Sequence, residues 1–172
     1  MYNENKSVQV DKAVEVALKN KYRKYPDRKD PRYFEEILWP GITPKFKFSK
    51  NRKYKVFTIG SCFARNIEEA LSDIPNIVIP TLSFSVPKAE WPHRPIQSTF
   101  TPYDCIVANS YSKSFLRVVA THLSEAFNNV DYFPSYEIVT SIGLSAYIND
   151  FVHVKNEIVN KVTKYFYQQY FM

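Results

Sequence analysis

The alternation of strand-like and helix-like segments in this 172-residue chain predicts an α/β fold layered about a parallel sheet. Three observations carry that expectation. The β-favouring run Tyr54-Lys55-Val56-Phe57-Thr58-Ile59 ends at Gly60 and gives way to helix-forming residues from Ala64 to Leu71. Short strand candidates recur at 76–79 and 130–134. Helical periodicity then fills the stretches after the first half of the chain, with Phe115, Val118, Val119, Leu123, Ala126 and Phe127 on one face of 112–127, and Ile158, Val159, Val162, Phe166 and Tyr170 on one face of about 155–170.

The N-terminal elements read differently. Val10, Ala13, Val14, Ala17, Leu18 and Tyr22 recur at helical spacing, so 10–22 is an amphipathic helix. Pro26, Pro31, Pro40 and Pro44 then interrupt the chain, leaving room only for a short helix around Tyr33 to Leu38. Residues 1–50 are therefore an N-terminal extension, docked through Phe34, Ile37, Leu38 and Trp39 on a body formed by residues 51–172. Between Pro80 and Tyr103 runs a long loop rich in Pro, Ser and Thr, of a length that usually serves a function or stays disordered. Asn128-Asn129 offers a stop for the helix before it.

Composition narrows the possible functions. With 45% hydrophobic and 16% aromatic residues the chain can bury a sizeable core, which excludes general disorder. Three glycines, Gly41, Gly60 and Gly143, are too few and too scattered for a dinucleotide fingerprint or a phosphate-cradling loop, and no nucleotide cofactor is expected. Cys62 and Cys105 make neither a disulfide framework nor a zinc site, so no metal is expected and the compartment is read as reducing. The polar start of the chain lacks the apolar core of a secretion signal, and no stretch approaches a membrane span. The expectation is a cytoplasmic protein with no membrane partner.

The net charge of +6 is concentrated at one end: residues 1–56 hold 15 Lys/Arg against 7 Asp/Glu. Within them, Lys45 to Lys55 interleaves Lys45, Lys47, Lys50, Arg52, Lys53 and Lys55 with Phe46, Phe48 and Tyr54. Such a segment can grip phosphates and stack bases, or it can be a solvated approach to a buried strand, which is the commoner case. A nucleic-acid partner is accordingly the lesser expectation.

The chemistry-bearing residues gather at two places. Gly60-Ser61-Cys62 stands where a strand ends and a helix begins, the position at which open α/β sheets bind ligands. Ser61 there reads either as a nucleophile facing the free N–H groups of the helix or as a plain N-cap. Near the other end, Asp150 and His153 are spaced so that the carboxylate can hold Nδ1–H and leave Nε2 as a base, while a surface histidine capping the last helix fits equally well. The rivals are weaker. His122 falls on an apolar stripe and reads as packed; His93 sits in the long loop; Cys62 lacks an aligned base and reads as a small buried residue.

Taken as a stretch, Thr58-Ile59-Gly60-Ser61-Cys62-Phe63-Ala64-Arg65-Asn66-Ile67 resembles the naming motif of the GSCFA family, which is similar to the SGNH/GDSL hydrolases. Trp91 with Arg94-Pro95, Phe100 to Tyr103, Ala108 to Lys113, Tyr132 to Ile138 and Asp150-Phe151-Val152-His153 resemble further parts of it. The resemblance implies a flavodoxin-like, SGNH-type three-layer sandwich. It also implies a serine ester hydrolase, acting on a small-molecule or glycan ester, with Ser61 as nucleophile, Asp150 as orienter and His153 as base. Two departures stand out: Val154 replaces the family's proline, and the family's central block has no counterpart between Tyr103 and Ile106. The expectation is a shortened sheet and an incomplete oxyanion hole, with Asn109 the only nearby polar candidate for a further donor.

Overall fold

The computed structural model describes residues 10–59, 62–80, 102 and 104–171. The chain divides into two compact units, Met1–Gly41 and Ile42–Met172.

In the first unit, helix α1 (Val10–Lys19) is shorter than its periodicity predicts, and its described side chains from Lys12 onward are exposed. Arg23 closes its end by donating to the Leu18 carbonyl at 2.7 Å. Residues 33–38 form a hairpin instead of the expected short helix: β1 (Tyr33–Phe34) pairs antiparallel with β2 (Ile37–Leu38). Glu35 and Glu36 make the turn with φ of 50° and 61°, the left-handed pair that a two-residue hairpin of this hand demands. Pro31 and Pro40 bracket it, and the aromatic and branched residues between them favour an extended chain over a single helical turn. Gly41 lets the Tyr22 ring pack against it, because a Cβ there would stand 2.0 Å from that ring and force it to shift.

The second unit holds the mixed α/β body. Strand β3 (Tyr54–Lys55) and strand β4 (Ile77–Val78) lie parallel, in register Tyr54 to Ile77 and Lys55 to Val78, with helix α2 (Cys62–Ser72) as the crossover. This is a βαβ unit. Flanking bonds from Tyr54 N to Asn76 O at 2.9 Å and from Val56 N to Val78 O at 2.9 Å lengthen the ladder beyond its two paired residues. Side chains alternate along β3 and its continuation, with Tyr54, Val56 and Thr58 partly buried and Lys55, Phe57 and Ile59 exposed.

Three further helices complete the body: α3 (Cys105–Ala126), α4 (Ser135–Ile142) and α5 (Asn156–Tyr170), with a 3₁₀ turn at Gly143–Ala146 between the last two. Helix α3 starts earlier than its apolar stripe predicts, because Asp104 caps it, accepting from the N–H of Ile106 and Val107. Its stripe is exposed at Val107, Tyr111, Phe115 and Val118. The core forms where α2 meets α5. Phe63, Ile67 and Leu71 repeat every four residues on α2, and Ile158, Val162, Phe166 and Tyr170 do so on α5, so each helix presents one buried stripe to the other.

Residues 130–134 are not a strand. Their backbone and polar groups are committed elsewhere: Val130 N–H donates to Phe127 O, Tyr132 N–H to Asp131 Oδ1, and Ser135 N–H to Phe133 O, turning the chain into α4. Their apolar residues serve an aromatic cluster, in which the Phe133 ring lies 5.2 Å edge-on from Phe166. The segment Lys45–Tyr54 joins the same cluster. Phe48 stacks on Phe171 at 4.8 Å and meets Tyr54 edge-on at 5.0 Å, while Asp131 accepts from Lys45 N–H and Tyr170 Oη–H at 3.0 Å each.

Candidate active site

The loop from Tyr147 to Val154 is built to present two side chains. Its ends meet in an antiparallel bridge between Tyr147 and Val154, reinforced by Ile148 N–H to His153 O and Lys155 N–H to Ala146 O, each at 2.9 Å. Inside, Phe151 N–H donates back to Ile148 O at 3.0 Å. The Asp150 carboxylate fills the turn, with Oδ1 accepting from the N–H groups of Val152 and His153 at 2.9 Å each. Its other oxygen, Oδ2, lies 2.5 Å from His153 Nδ1.

This geometry assigns the imidazole's protons. A carboxylate only accepts, so Nδ1 carries the hydrogen and Nε2 of the neutral ring keeps its lone pair. The His153 hydrogen bond, followed by the backbone N–H groups of His153 and Val152, holds the Asp150 carboxyl down at about 2. At neutral pH it is therefore charged. The pair stands at the surface, with the His153 side chain 57% and the Asp150 side chain 42% accessible, so Nε2 can reach a substrate without any rearrangement of the core.

On the other side of the candidate chemistry, Ser61 lies outside the described residues, as does Gly60. What frames them is described. Helix α2 begins at Cys62, directly after Ser61 in sequence, which leaves the first N–H groups of that helix next to the serine in the chain. Glu68 on α2 is fully buried and accepts from Thr58 N–H at 3.1 Å and Thr58 Oγ1–H at 2.8 Å, and it pairs with Arg65. Thr58 Oγ1 also lies 3.1 Å from the Ala64 carbonyl. The strand end and the helix start that flank Ser61 are thereby clamped to each other.

The remaining candidates separate. His122 is exposed on α3, contrary to its reading as packed, because the apolar stripe around it is itself exposed. His93 lies outside the described residues, and so does the Cys62 side chain. Asn109 is exposed on α3. Among the described residues no cluster of His, Cys, Asp and Glu is arranged to hold a metal ion, and no helix is long and apolar enough to cross a membrane. A groove of about 500 Å³ on α5, lined by Asn160, Thr163, Lys164, Tyr167, Gln168 and Phe171, includes neither member of the pair.

Two features carry no signal at the level of spacing. One is the Thr58–Glu68–Arg65 clamp, hinted at only by Arg65 and Glu68 standing three apart beside an apolar stripe. The other is a network that ties α3 to α4: Arg117 Nε donates to Glu137 at 2.9 Å and its guanidinium covers the Tyr132 ring at 3.9 Å, while Tyr132 Oη–H donates to Glu137 at 2.8 Å. Burial and that carboxylate push the Tyr132 hydroxyl pKa well up.

The loop with its Asp–His pair falls inside a stretch of recognisable family character. Residues 93–166, a stretch that includes Asp150 and His153, match the model of the GSCFA family, the family that the sequence resembles. Ser61 precedes the matched stretch. No curated protein and no solved structure matches the chain.

Proposed function

We propose that the protein is an SGNH-type serine ester hydrolase of the cytoplasm, cleaving an acyl or acetyl ester of a small molecule or glycan. The observation that carries this reading is the 2.5 Å contact between Asp150 Oδ2 and His153 Nδ1 on a loop where the His153 side chain is 57% accessible. In the proposed reaction Ser61 Oγ attacks the ester carbonyl and passes its proton to Nε2. The tetrahedral oxyanion collapses, the alcohol leaves with that proton, and an acyl-serine remains. Water then gives a proton to Nε2 and attacks the acyl group; return of the proton to Ser61 releases the acid. Asp150 stays ionised throughout and steadies the imidazolium.

The finer fold belongs to the same proposal. A flavodoxin-like three-layer sandwich, shortened at its centre, accounts for a parallel βαβ unit with α2 against one face and apolar Phe57, Ile59 and Val78 on exposed positions of the strands. A short centre also removes oxyanion donors, and one such donor is worth about 100- to 1,000-fold in rate. Turnover of a simple acetyl ester is expected below about 10 per second, the median for enzymes. The alternative, a polyanion-binding protein, is left without its stacking platform, since Phe46, Phe48 and Tyr54 pack with one another and with the end of α5.

A fluorophosphonate probe tests the proposal. It should label the wild-type chain, spare Ser61→Ala and react far more slowly with His153→Ala. Equal labelling of all three, or none of the wild type, sinks it.

A further inference from the structure

The segment from Lys45 to Lys55 plays no part in the esterase reading, and its charge is unbalanced along the chain. It holds six cations, and no acidic residue occurs between Glu36 and Glu68. Its side chains divide by exposure: Phe46, Phe48 and Tyr54 are half-buried, whereas Lys45, Lys47, Lys50, Arg52, Lys53 and Lys55 are all exposed. The aromatic residues anchor the segment on the end of α5, with Phe48 N–H donating to Tyr170 O at 2.8 Å and the Phe48 ring stacked on Phe171. The packing that denies a base its stacking platform therefore leaves the cations facing solvent.

Four of these cations stand on or beside a turn that is held shut. Arg52 N–H donates to Ser49 O at 3.3 Å. Asn76 Nδ2 bridges the same turn, donating to Ser49 O at 2.9 Å and to Arg52 O at 2.6 Å, and Tyr54 Oη accepts from Ser49 N–H at 2.9 Å. Lys50 and Arg52 lie within the turn, Lys53 follows it and Lys55 ends β3. The Arg52 guanidinium also lies over the Tyr54 ring, 5.5 Å from its centre. Among the described residues, none of Lys50, Arg52, Lys53 and Lys55 is paired with a carboxylate. Six residues of chain reach at most about 20 Å, so the four charges share a short span. Because the backbone that carries them is already ordered, binding there loses little conformational freedom.

We propose that this basic turn is a docking surface for the phosphate backbone of a nucleic-acid duplex, bound without regard to base sequence and independently of the Asp150–His153 chemistry. Charge complementarity selects the partner. A duplex carries one negative charge about every 1.7 Å of its axis, so a span of about 20 Å presents about twelve phosphates and four cations need no particular register to meet them. The exposed side chains of residues 45–55 are all cationic or, at Ser49 and Asn51, polar, which suits phosphate oxygens. They offer no ring for an unpaired base and no apolar group for a lipid interior. A single strand, whose affinity draws on stacking, and a lipid surface are thereby the poorer fits.

Fluorescence anisotropy of a labelled DNA duplex of about 24 base pairs, titrated with the full chain, measures the contact. With four phosphates neutralised, affinity should fall about 100-fold between about 50 and 200 mM NaCl, and it should be the same for a second duplex of unrelated sequence. Lys50→Gln, Arg52→Gln and Lys53→Gln together should weaken binding at the lower salt by about tenfold or more and leave a salt slope of about one phosphate. The charge-keeping triple Lys50→Arg, Arg52→Lys and Lys53→Arg should bind as the wild type does. Lys12→Gln, Lys24→Gln and Lys29→Gln together remove the same net charge from other exposed positions and should leave the affinity within about threefold. No binding at the lower salt, a salt-independent affinity, or an equal loss in the two Gln triples overturns the proposal, as does a loss in the charge-keeping triple. So does tighter binding of the matching single strand, which means that bases are read, or capture by phosphatidylserine vesicles in place of the duplex. The readout involves neither Ser61 nor His153, so the esterase reading stands or falls separately.

Discussion

Replacing Glu68 tests whether the strand and helix on either side of Ser61 are held by a buried carboxylate. The Glu68 side chain is wholly inaccessible and takes two hydrogen bonds from Thr58, at 3.1 and 2.8 Å, besides its pairing with Arg65. Hydrogen bonds to a charged group contribute about 1.5–3 kcal/mol each, and breaking a buried ion pair costs about 3–5 kcal/mol. The losses in Glu68→Ala fall short of that sum. The Arg65 side chain is 27% exposed and can rehydrate, and Thr58 Oγ1 keeps its contact with the Ala64 carbonyl at 3.1 Å. The Thr58 N–H has no such substitute. A net loss of about 3 kcal/mol follows, made up of one stranded backbone donor, one weakened ion pair and the space left by the side chain. Glu68→Gln, which keeps an acceptor for Thr58 but not the charge, should lose about half as much. Urea unfolding followed by far-ultraviolet circular dichroism measures both. If Glu68→Ala stays within about 1 kcal/mol of the wild type, the side chain is hydrated in solution and the clamp does not exist.

The pair itself makes a pH prediction. Because Asp150 is held at about 2, below its ordinary value of 3.8, its ionised form favours the folded loop above that ordinary value, and the contribution is lost as pH falls toward 2. The Asp150 carboxyl carbon should titrate by NMR near 2, and its midpoint should rise only part of the way to the ordinary value in His153→Ala, which keeps both backbone N–H donors; a wild-type midpoint near 4 contradicts the geometry. Gly143 ends α4 at φ 79° and ψ −157°, a region open essentially to glycine alone, although a Cβ at that position would meet nothing within 4 Å. Gly143→Ala should therefore cost about 1–3 kcal/mol in urea unfolding from backbone strain alone, and a neutral result would show that the turn rearranges freely. Tyr170→Phe removes the hydroxyl that donates to Asp131, which retains the Lys45 N–H; a loss of about 1.5 kcal/mol is expected, and less than about 0.5 kcal/mol would place that hydroxyl in water.

Much of the local structure is legible in the sequence because it rests on local rules. The β run at 54–59, its partner at 76–79 and the helices after them follow from periodicity and from glycine and capping residues, and the parallel βαβ pairing follows from their order. The failures share a different cause. Val130-Asp131-Tyr132-Phe133 has β-favouring composition, yet its aromatic rings are drawn into the cluster around Phe166 and Tyr170, and its polar groups are used by Lys45 and by the turn into α4. Propensity describes a fit to a pleated surface, and among the described residues no neighbouring strand supplies one here. The hairpin at 33–38 is hidden because Glu35 and Glu36 are poor turn formers at positive φ; their neighbours' cross-strand pairing outweighs that preference.

The candidate site divides along the same line. Asp150 and His153 are readable because a spacing of three in a loop is enough to let one carboxylate reach both a ring nitrogen and two backbone N–H groups, and the structure realises all of these contacts. Phe151 is unreadable for the complementary reason. Spacing identifies which side chains can meet, whereas the peculiarity of Phe151 is a left-handed φ of 54° imposed by those very contacts. A sequence optimised for stability alone would place glycine or asparagine there, since neither carries the steric cost and no buried ring would be lost. The cost of that conformation is carried by the hydrogen bonds that close the loop, which over-determine the backbone at Phe151. Phe151 is one residue from the Asp150 carboxylate and two from the His153 imidazole, so the strained backbone and the Asp–His contact are two consequences of the same set of hydrogen bonds.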